Sequence, residues 1–244
     1  MRDLDAFLAA ATVDASVFAL RPDYRVLLIA VDGIEPGASD DASEALLVAA
    51  EDRARQSLEA TPVDQLPHIA AWRDAYRAFG AKPQRTRNSV EALTRRAPSG
   101  LPRVNRLTDI YNAISVLHQL PVGGEDLDSY ASPPRLVRAT GDEPFDTVAD
   151  GAEIVEHPDP GEVIWCDRAG VTCRRWNWRQ GRRTQLHDDS QAVLFILDGL
   201  DPMTDDELTA AADDLVSHVQ RLGPDVGVAT RRIGSTAPGP NETR

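Results

Sequence analysis

Two short segments carry side chains whose type and spacing suit nucleic-acid contact. Residues 82–106 hold seven basic groups (Lys82, Arg85, Arg87, Arg95, Arg96, Arg103, Arg106) against one acid, Glu91. Residues 168–183 hold six (Arg168, Arg174, Arg175, Arg179, Arg182, Arg183) and no acid. Guanidinium forks match phosphate oxygens, so both segments fit local contact with a nucleic-acid backbone. The alternative is two solvated faces paired with acids elsewhere. Trp176-Asn177-Trp178 lies inside the second run, where an indole can stack on a base. On a strand, Trp176 and Trp178 would share one face, which could equally be core.

Other chemistry is sparse. No Gly-x-Gly-x-x-Gly follows a strand, and neither a phosphate-binding Gly-Lys-Ser loop nor a Gly-x-Ser-x-Gly elbow occurs. The histidines at 68, 118, 157, 187 and 218 include no pair at metal-ligand spacing on one helix, so no metal and no other cofactor is expected. Cys166 and Cys173 have no base positioned near them in the sequence and read as small buried residues. Two cysteines exclude a disulfide framework. The 244 residues carry a net charge of −13, so binding to polyanions in general is expected to be weak and phosphate contact local. No apolar run approaches the ~20 residues of a membrane span. The opening Met1-Arg2-Asp3-Leu4-Asp5 lacks the basic-then-apolar order of a signal peptide, and with only two cysteines a reducing cytoplasm is the expected compartment.

The elements that must position these groups follow from periodicity. Val26 to Val31 is wholly apolar and reads as a buried strand. A helix is expected from Ser39 to about Ala60, and another after Pro67, with Trp72, Tyr76 and Phe79 on one face and Gly80 as its stop. Asn88 and Glu91 form an Asn-x-x-Glu pattern opening a short helix to Arg96. Leu107 to Leu120 is a helix ended by Pro121-Val122-Gly123-Gly124. Short β-like runs follow at 136–137, 162–165, 171–176 and 192–197. Thr204-x-x-Glu207 caps a last amphipathic helix. Residues 1–222 read as one α+β domain, a mixed sheet with packed helices, and 223–244 as a C-terminal tail.

The stretch from Gly100 to Asp128 carries Asn105, Asp109, Asn112, Pro121, Asp126, Leu127 and Asp128 in one ungapped order. It resembles the B3/B4 domain of the phenylalanyl-tRNA synthetase β subunit, in which a Gly precedes an Asn, then Asp-x-x-Asn, a Pro nine residues on, and Asp-Leu-Asp. A looser likeness covers about 85–200. The resemblance implies a B3/B4 fold, an aminoacylated tRNA as partner, and a role in hydrolysing mischarged aminoacyl-tRNA. It also implies that Asn112 lies in the editing pocket, whereas Asp198 answers only loosely to an acid the family places on a later strand. The chain departs from the family at the pocket itself. Tyr111 stands where the family has Thr, Gly123 where it has the pocket His, and Gly124 and Glu125 where it has Ala and Phe.

An unpaired carboxylate against a buried aromatic ring costs several kcal/mol, whereas a guanidinium-like group wants one. The swap to Glu125, with Asp126 adjacent, therefore directs the reading from tyrosine to an arginine analogue such as canavanine. The chain resembles freestanding B3/B4 proteins that deacylate mischarged tRNA in trans. In that reading Asn112 orients the substrate, with His118 as reserve base. Tyr111, Gly123, Gly124, Glu125 and Asp126 surround the amino acid. Arg87, Arg95, Arg96, Arg174, Arg175, Arg179 and Trp176 meet the tRNA. For Glu125 the bland alternative is a solvent-facing turn, and for Asp126 a cap. The rival functions are a non-catalytic RNA-binding module and a protein binding a free amino acid. The sequence does not address oligomeric state.

Overall fold

One aliphatic strand, apolar on both faces, divides the molecule into two hydrophobic layers. The computed structural model describes residues 2–149 and 151–235. Its elements run α1 (Leu4–Ala9), β1 (Thr12–Val13), α2 (Ala15–Leu20), β2 (Arg25–Asp32), α3 (Asp41–Ala60), α4 (Pro67–Ala78), α5 (Ser89–Arg96), α6 (Arg106–His118), β3 (Val122–Asp126), β4 (Arg135–Arg138), β5 (Phe145–Ala149), β6 (Ala152–Glu156), β7 (Val163–Asp167), β8 (Gly170–Arg174), β9 (Arg179–Gln180), β10 (Val193–Gly199), α7 (Asp205–Val219) and β11 (Gly227–Gly234). The fold is α+β. A four-stranded sheet runs β11-β2-β10-β3, a five-stranded sheet β1-β4-β7-β8-β9, and β5-β6 is a separate hairpin. Among the described residues only β1 and β4 pair in parallel.

Alternation along β2 explains the layers. Val26, Leu28 and Ala30 pack with Trp72, Trp165 and Trp176 in the space towards the second sheet. Leu27, Ile29 and Val31 pack on the other side with α6 and α7 through Ile110, Ile114, Leu208 and Leu215. A strand covered on both faces has no solvent side, so it reads as an unbroken apolar run. α3 lies on α6 through Leu47, Ala50 and Ala54 against Ala113 and Val116. Small side chains there let the helices approach closely.

The helix starts are largely those the sequence predicts. Asp40, rather than Ser39, caps α3, its carboxylate accepting from the Ser43 N–H at 2.8 Å. Asn88 caps α5, and Thr204 and Glu207 form the reciprocal box that opens α7. Glu91, however, does not reach back to its cap. It is buried and instead accepts from Arg73 at 2.7 Å and from Arg95 at 3.0 Å.

Three segments depart from the sequence reading. Residues 227–234, expected within a tail, form edge strand β11 paired along β2; residues 236–244 of that tail lie outside the described residues. Val122 to Asp126, read as a helix stop and turn, is strand β3, because β10 supplies the pairing that two glycines cannot signal locally. The run 171–176 ends as a strand at Arg174, since Arg175 and Trp176 both adopt left-handed backbone (φ 48° and 69°). Two consecutive non-glycine residues in that region are strained. They are held by Glu162, whose carboxylate accepts from Arg174 Nε and Nη2 at 3.0 and 2.9 Å and from the Arg175 N–H at 3.0 Å. Among the described residues no helix is long and apolar enough to cross a membrane.

Glu162 and Arg174 are both buried. Removing one partner of such a pair leaves the other charge uncompensated, so Glu162→Ala is expected to lower stability by about 3–5 kcal/mol in urea denaturation.

Candidate functional site

Three residues, Gln119 to Pro121, join helix α6 to strand β3, which brings one face of each to the same region. Asn105 caps the helix, accepting from the Thr108 N–H at 2.9 Å. One turn on, buried Asp109 accepts from the Val104 N–H at 2.8 Å and from Ser39 Oγ. Both therefore anchor the loop preceding α6. Asn112 lies on the same face, at i+3 from Asp109, and behaves differently. It is only 8% exposed, lines a cavity of about 270 Å³, and its carboxamide has no hydrogen-bond partner among the described residues. Gln119 then adopts left-handed backbone (φ 58°) and turns the chain into β3.

The cavity lies between the two sheets. Val122, Gly123 and Glu125 of β3 and Ile196 and Asp198 of β10 form one wall. Trp165, Cys173 and Gln180 of the second sheet, with Trp176, Asn177 and Trp178 of the strained loop, form the opposite side. Ser89, Ala92 and Leu93 of α5 lie at its margin, and Ala92 is exposed. The cavity thus meets solvent beside α5, whose Arg95 and Arg96 lie one turn beyond Ala92. Three buried donors around it, Ser89 Oγ, Trp165 Nε1 and Trp176 Nε1, have no hydrogen-bond acceptor among the described residues. Nothing lies within 4 Å of where a side chain on Gly123 would begin.

Glu125 is 2% exposed and does not face solvent. It accepts a hydrogen bond from Tyr130 Oη, with Thr172 and Thr184 nearby. Burial raises its pKa to about 7, against the lowering effect of these donors and of Arg183. Asp198 is equally buried. Tyr24 Oη donates to one of its oxygens at 2.7 Å and Asn177 Nδ2 to the other at 3.2 Å, while burial raises its pKa to about 7 as well. Cys173 lies between these acids, and burial followed by their charge pushes its thiol well above the usual range. A thiol so held stays protonated and is no nucleophile.

Several residues expected at the site lie elsewhere. His118 ends α6 facing α7, where its Nε2 is 2.8 Å from Asp214 Oδ2. Asp126 points away from the cavity and accepts from the Asp128 N–H at 2.8 Å and Ser190 Oγ at 2.6 Å, closing the turn after β3. Gly124 faces α6. A Cβ there would sit 2.8 Å from the Tyr111 ring, and Tyr111 also packs edge-on against Phe195. The large residue at 111 and the missing side chain at 124 therefore form one packing unit, with Tyr111 at the cavity margin. Along the β3–β10 ladder, Asp198 N–H bonds Pro121 O, so positions 121, 123 and 125 point their backbone groups at β10 and Gly124 points its own outward. Gln180 Nε2 accordingly donates to Gly124 O at 2.9 Å.

The second arginine run is largely committed to acids. Arg174 is buried on Glu162 and Glu156. Arg175 contacts Glu162 and donates to Thr86 Oγ1 at 2.5 Å. Arg179 lies 3.6 Å from Glu156. Trp176 is fully buried against Tyr24 and Trp72, so it has no face open to a base. The half-buried indole at the cavity is Trp178, which carries the Arg175 guanidinium 4.5 Å from its centroid. On the first run Arg87 and Arg95 are substantially exposed around the single acid Glu91, and Arg96 bonds only the Gly100 carbonyl, at 3.2 Å. Trp178 is one of the two indoles the sequence offers for stacking, whereas Ser89, Asn177 and Gln180 are given no role there; the signal for these three is proximity to the Arg-rich runs.

Two outcomes follow. Gly124→Ala is expected to cost about 1–3 kcal/mol by overpacking, and most of that loss should vanish beside Tyr111→Thr in a double-mutant cycle. The raised pKa of Glu125 means the folded state binds a proton between about pH 4.5 and 7 that the unfolded state has lost. Its contribution to stability is therefore greatest below pH 4.5 and falls as pH rises to 7. Glu125→Gln should raise stability on the order of 2–3 kcal/mol at pH 8 and little at pH 4, read from denaturation at the two pH values.

The chain matches the B3/4 domain family across residues 71–222, a span that includes every residue lining the cavity. Among solved structures it is similar to an N-terminal fragment of the phenylalanyl-tRNA synthetase β-subunit from Pyrococcus horikoshii, at 14% identity and a TM-score of 0.44. That similarity covers 88% of this chain and 49% of the fragment, so the chain spans about half its length. No curated protein matches. By the match over 71–222, which spans well over half of its length, the chain belongs to the B3/4 domain family.

Proposed function

We propose that this protein is an aminoacyl-tRNA deacylase that edits in trans, and that its cavity accepts a cationic, arginine-like side chain such as that of canavanine. The observation that carries the reading is Asn112, a buried carboxamide without a protein partner, facing a cavity that also holds Glu125 and opens beside α5. A volume of about 270 Å³ is near the lower end of small-ligand pockets and suits one amino-acid moiety.

Asn112 orients the ester by donating to its carbonyl oxygen, and the outward N–H of Gly124 is a second candidate donor to the developing oxyanion. Water adds to the carbonyl carbon, the bond to the ribose oxygen breaks, and a water proton ends on the released ribose hydroxyl. The products are free amino acid and uncharged tRNA. An aminoacyl ester is activated, so the reaction needs no covalent nucleophile. Glu125 selects the side chain, because a guanidinium supplies the cation its buried carboxylate lacks, whereas an aromatic ring would leave it unpaired. Arg95 and Arg96 lie on the helix at the cavity margin and Arg87 just before its cap, and the three would take the phosphates of the acceptor end. Trp178, with its partly open indole, replaces Trp176 as the candidate stacking surface. The rival reading, a non-catalytic RNA-binding module, draws its support from His118, the reserve base, which faces α7 instead of the cavity.

A panel of charged tRNAs separates the two. One mischarged species should release its amino acid at least tenfold faster than its cognate, and no acceleration on any member leaves only RNA binding. Asn112→Ala should lower kcat/KM at least tenfold with the melting temperature nearly unchanged, since no protein group loses a partner. Arg96→Gln should weaken tRNA binding and reduce the salt slope by about 1.

A further inference from the structure

The reading above leaves one cavity carboxylate without a role. Glu125 pairs with Leu194 and Gly123 with Ile196 in the β3–β10 ladder, and the Asp198 N–H bonds Pro121 O. Glu125 and Asp198 therefore leave the same face of the sheet from adjacent strands, roughly 13 Å apart along it. Between them the wall is apolar at Ile196 and bare at Gly123, where nothing lies within 4 Å of an added side chain.

Among the described residues neither carboxylate has a cation bonded to it. Asp198 receives only the neutral donors Tyr24 Oη and Asn177 Nδ2. Glu125 receives Tyr130 Oη. The guanidinium with an electrostatic effect on Glu125, Arg183, is already forked onto Asp167 at 2.8 and 3.0 Å. Two buried acids without counter-ions are costly to maintain, and a ligand with a positive charge at each end would satisfy both. Asn112, 92% buried and unpartnered, faces the same cavity and offers a donor to a carbonyl.

We infer that the cavity takes its ligand as a dication: the α-ammonium of the aminoacyl group rests on Asp198 and the cationic end of a long side chain reaches Glu125, which makes Asp198 a specificity-determining residue. This rests on the assignment of Glu125 to the side chain made above. The ester carbonyl, attached to the α-carbon, then lies within the part of the cavity that Asn112 faces.

The test uses small amides titrated calorimetrically into the intact protein. L-Arginine amide carries both charges, Nα-acetyl-L-arginine amide lacks the α-ammonium, and L-norleucine amide lacks the side-chain cation. Wild type should bind the first at least tenfold more tightly than either of the others, since each charge-assisted contact contributes separately. Asp198→Asn should abolish the preference over the acetylated compound and keep the preference over norleucine amide. Glu125→Gln should do the reverse. Binding of the acetylated compound within twofold of arginine amide by wild type overturns the inference, as does unchanged discrimination in a folded Asp198→Asn protein. If that variant fails to fold, the wild-type series decides alone. Retained dication preference with no turnover of any charged tRNA would refute the deacylase and leave this assignment standing. Turnover without an α-ammonium preference would do the opposite.

Discussion

Two carboxyl groups buried on one face of a four-stranded sheet, supplied with neutral hydrogen bonds but no cation, set the chemistry of this cavity. Burial alone would drive both to the protonated form, and both sit near pKa 7, where either state is accessible. In the proposed reading, an anion poised in this way receives positive charge from the ligand. The same burial makes it a liability for folding, and the molecule keeps the two groups apart at the ends of the wall instead of stacking them into one acidic cluster. An aromatic substrate would add only apolar surface. A cation adds the missing charge.

The rest of the fold holds that wall open. β2 and β10 form the rigid centre because they are apolar on both faces, and β3 is added at the edge by pairing with β10. The opposite side of the cavity depends on a strained loop, where Glu162 gathers Arg174 and Arg175 and so forces Trp176 into the core and Asn177 onto Asp198. Strain of this kind persists only where surrounding contacts over-determine it. A dense ion-pair network does so here, so arginines that look like a nucleic-acid footprint are in part the fastening of the site itself. At α5 one buried acid, Glu91, serves several guanidinium groups and the cationic excess remains at the surface, which is where the proposed function puts phosphate contact.

Tyr111 and Gly124 act as one packing unit. The ring at 111 occupies the volume that a methyl group at 124 would need. At close-packed density a side chain at 124 and the ring at 111 exclude each other. Beside them, Gly123 leaves the cavity wall without a side chain and Glu125 places a carboxyl group on it, while Asn105 and Asp109 hold the loop-to-helix geometry that aims Asn112.

Periodicity, caps and turn residues determined the helices from α3 to α7, the strand at Val26 to Val31 and the α+β class, because those signals are local and act within a few residues. The ungapped order from Gly100 to Asp128 likewise marked Asn112 and Glu125 from the sequence alone. Tertiary structure decided which polar residues of that stretch face the cavity and which only cap a turn. Asn112 and Asp109 are three residues apart on one helix, yet one is unpartnered and the other is bonded to Ser39, seventy positions away. Strand β3, with two glycines and two acids in five residues, carries no local β signal and exists because β10 pairs with it. β11 is a strand for the same reason, through β2. The fate of each arginine likewise depended on acids distant in sequence, since ion pairing is a property of proximity in space and charge composition records only the totals.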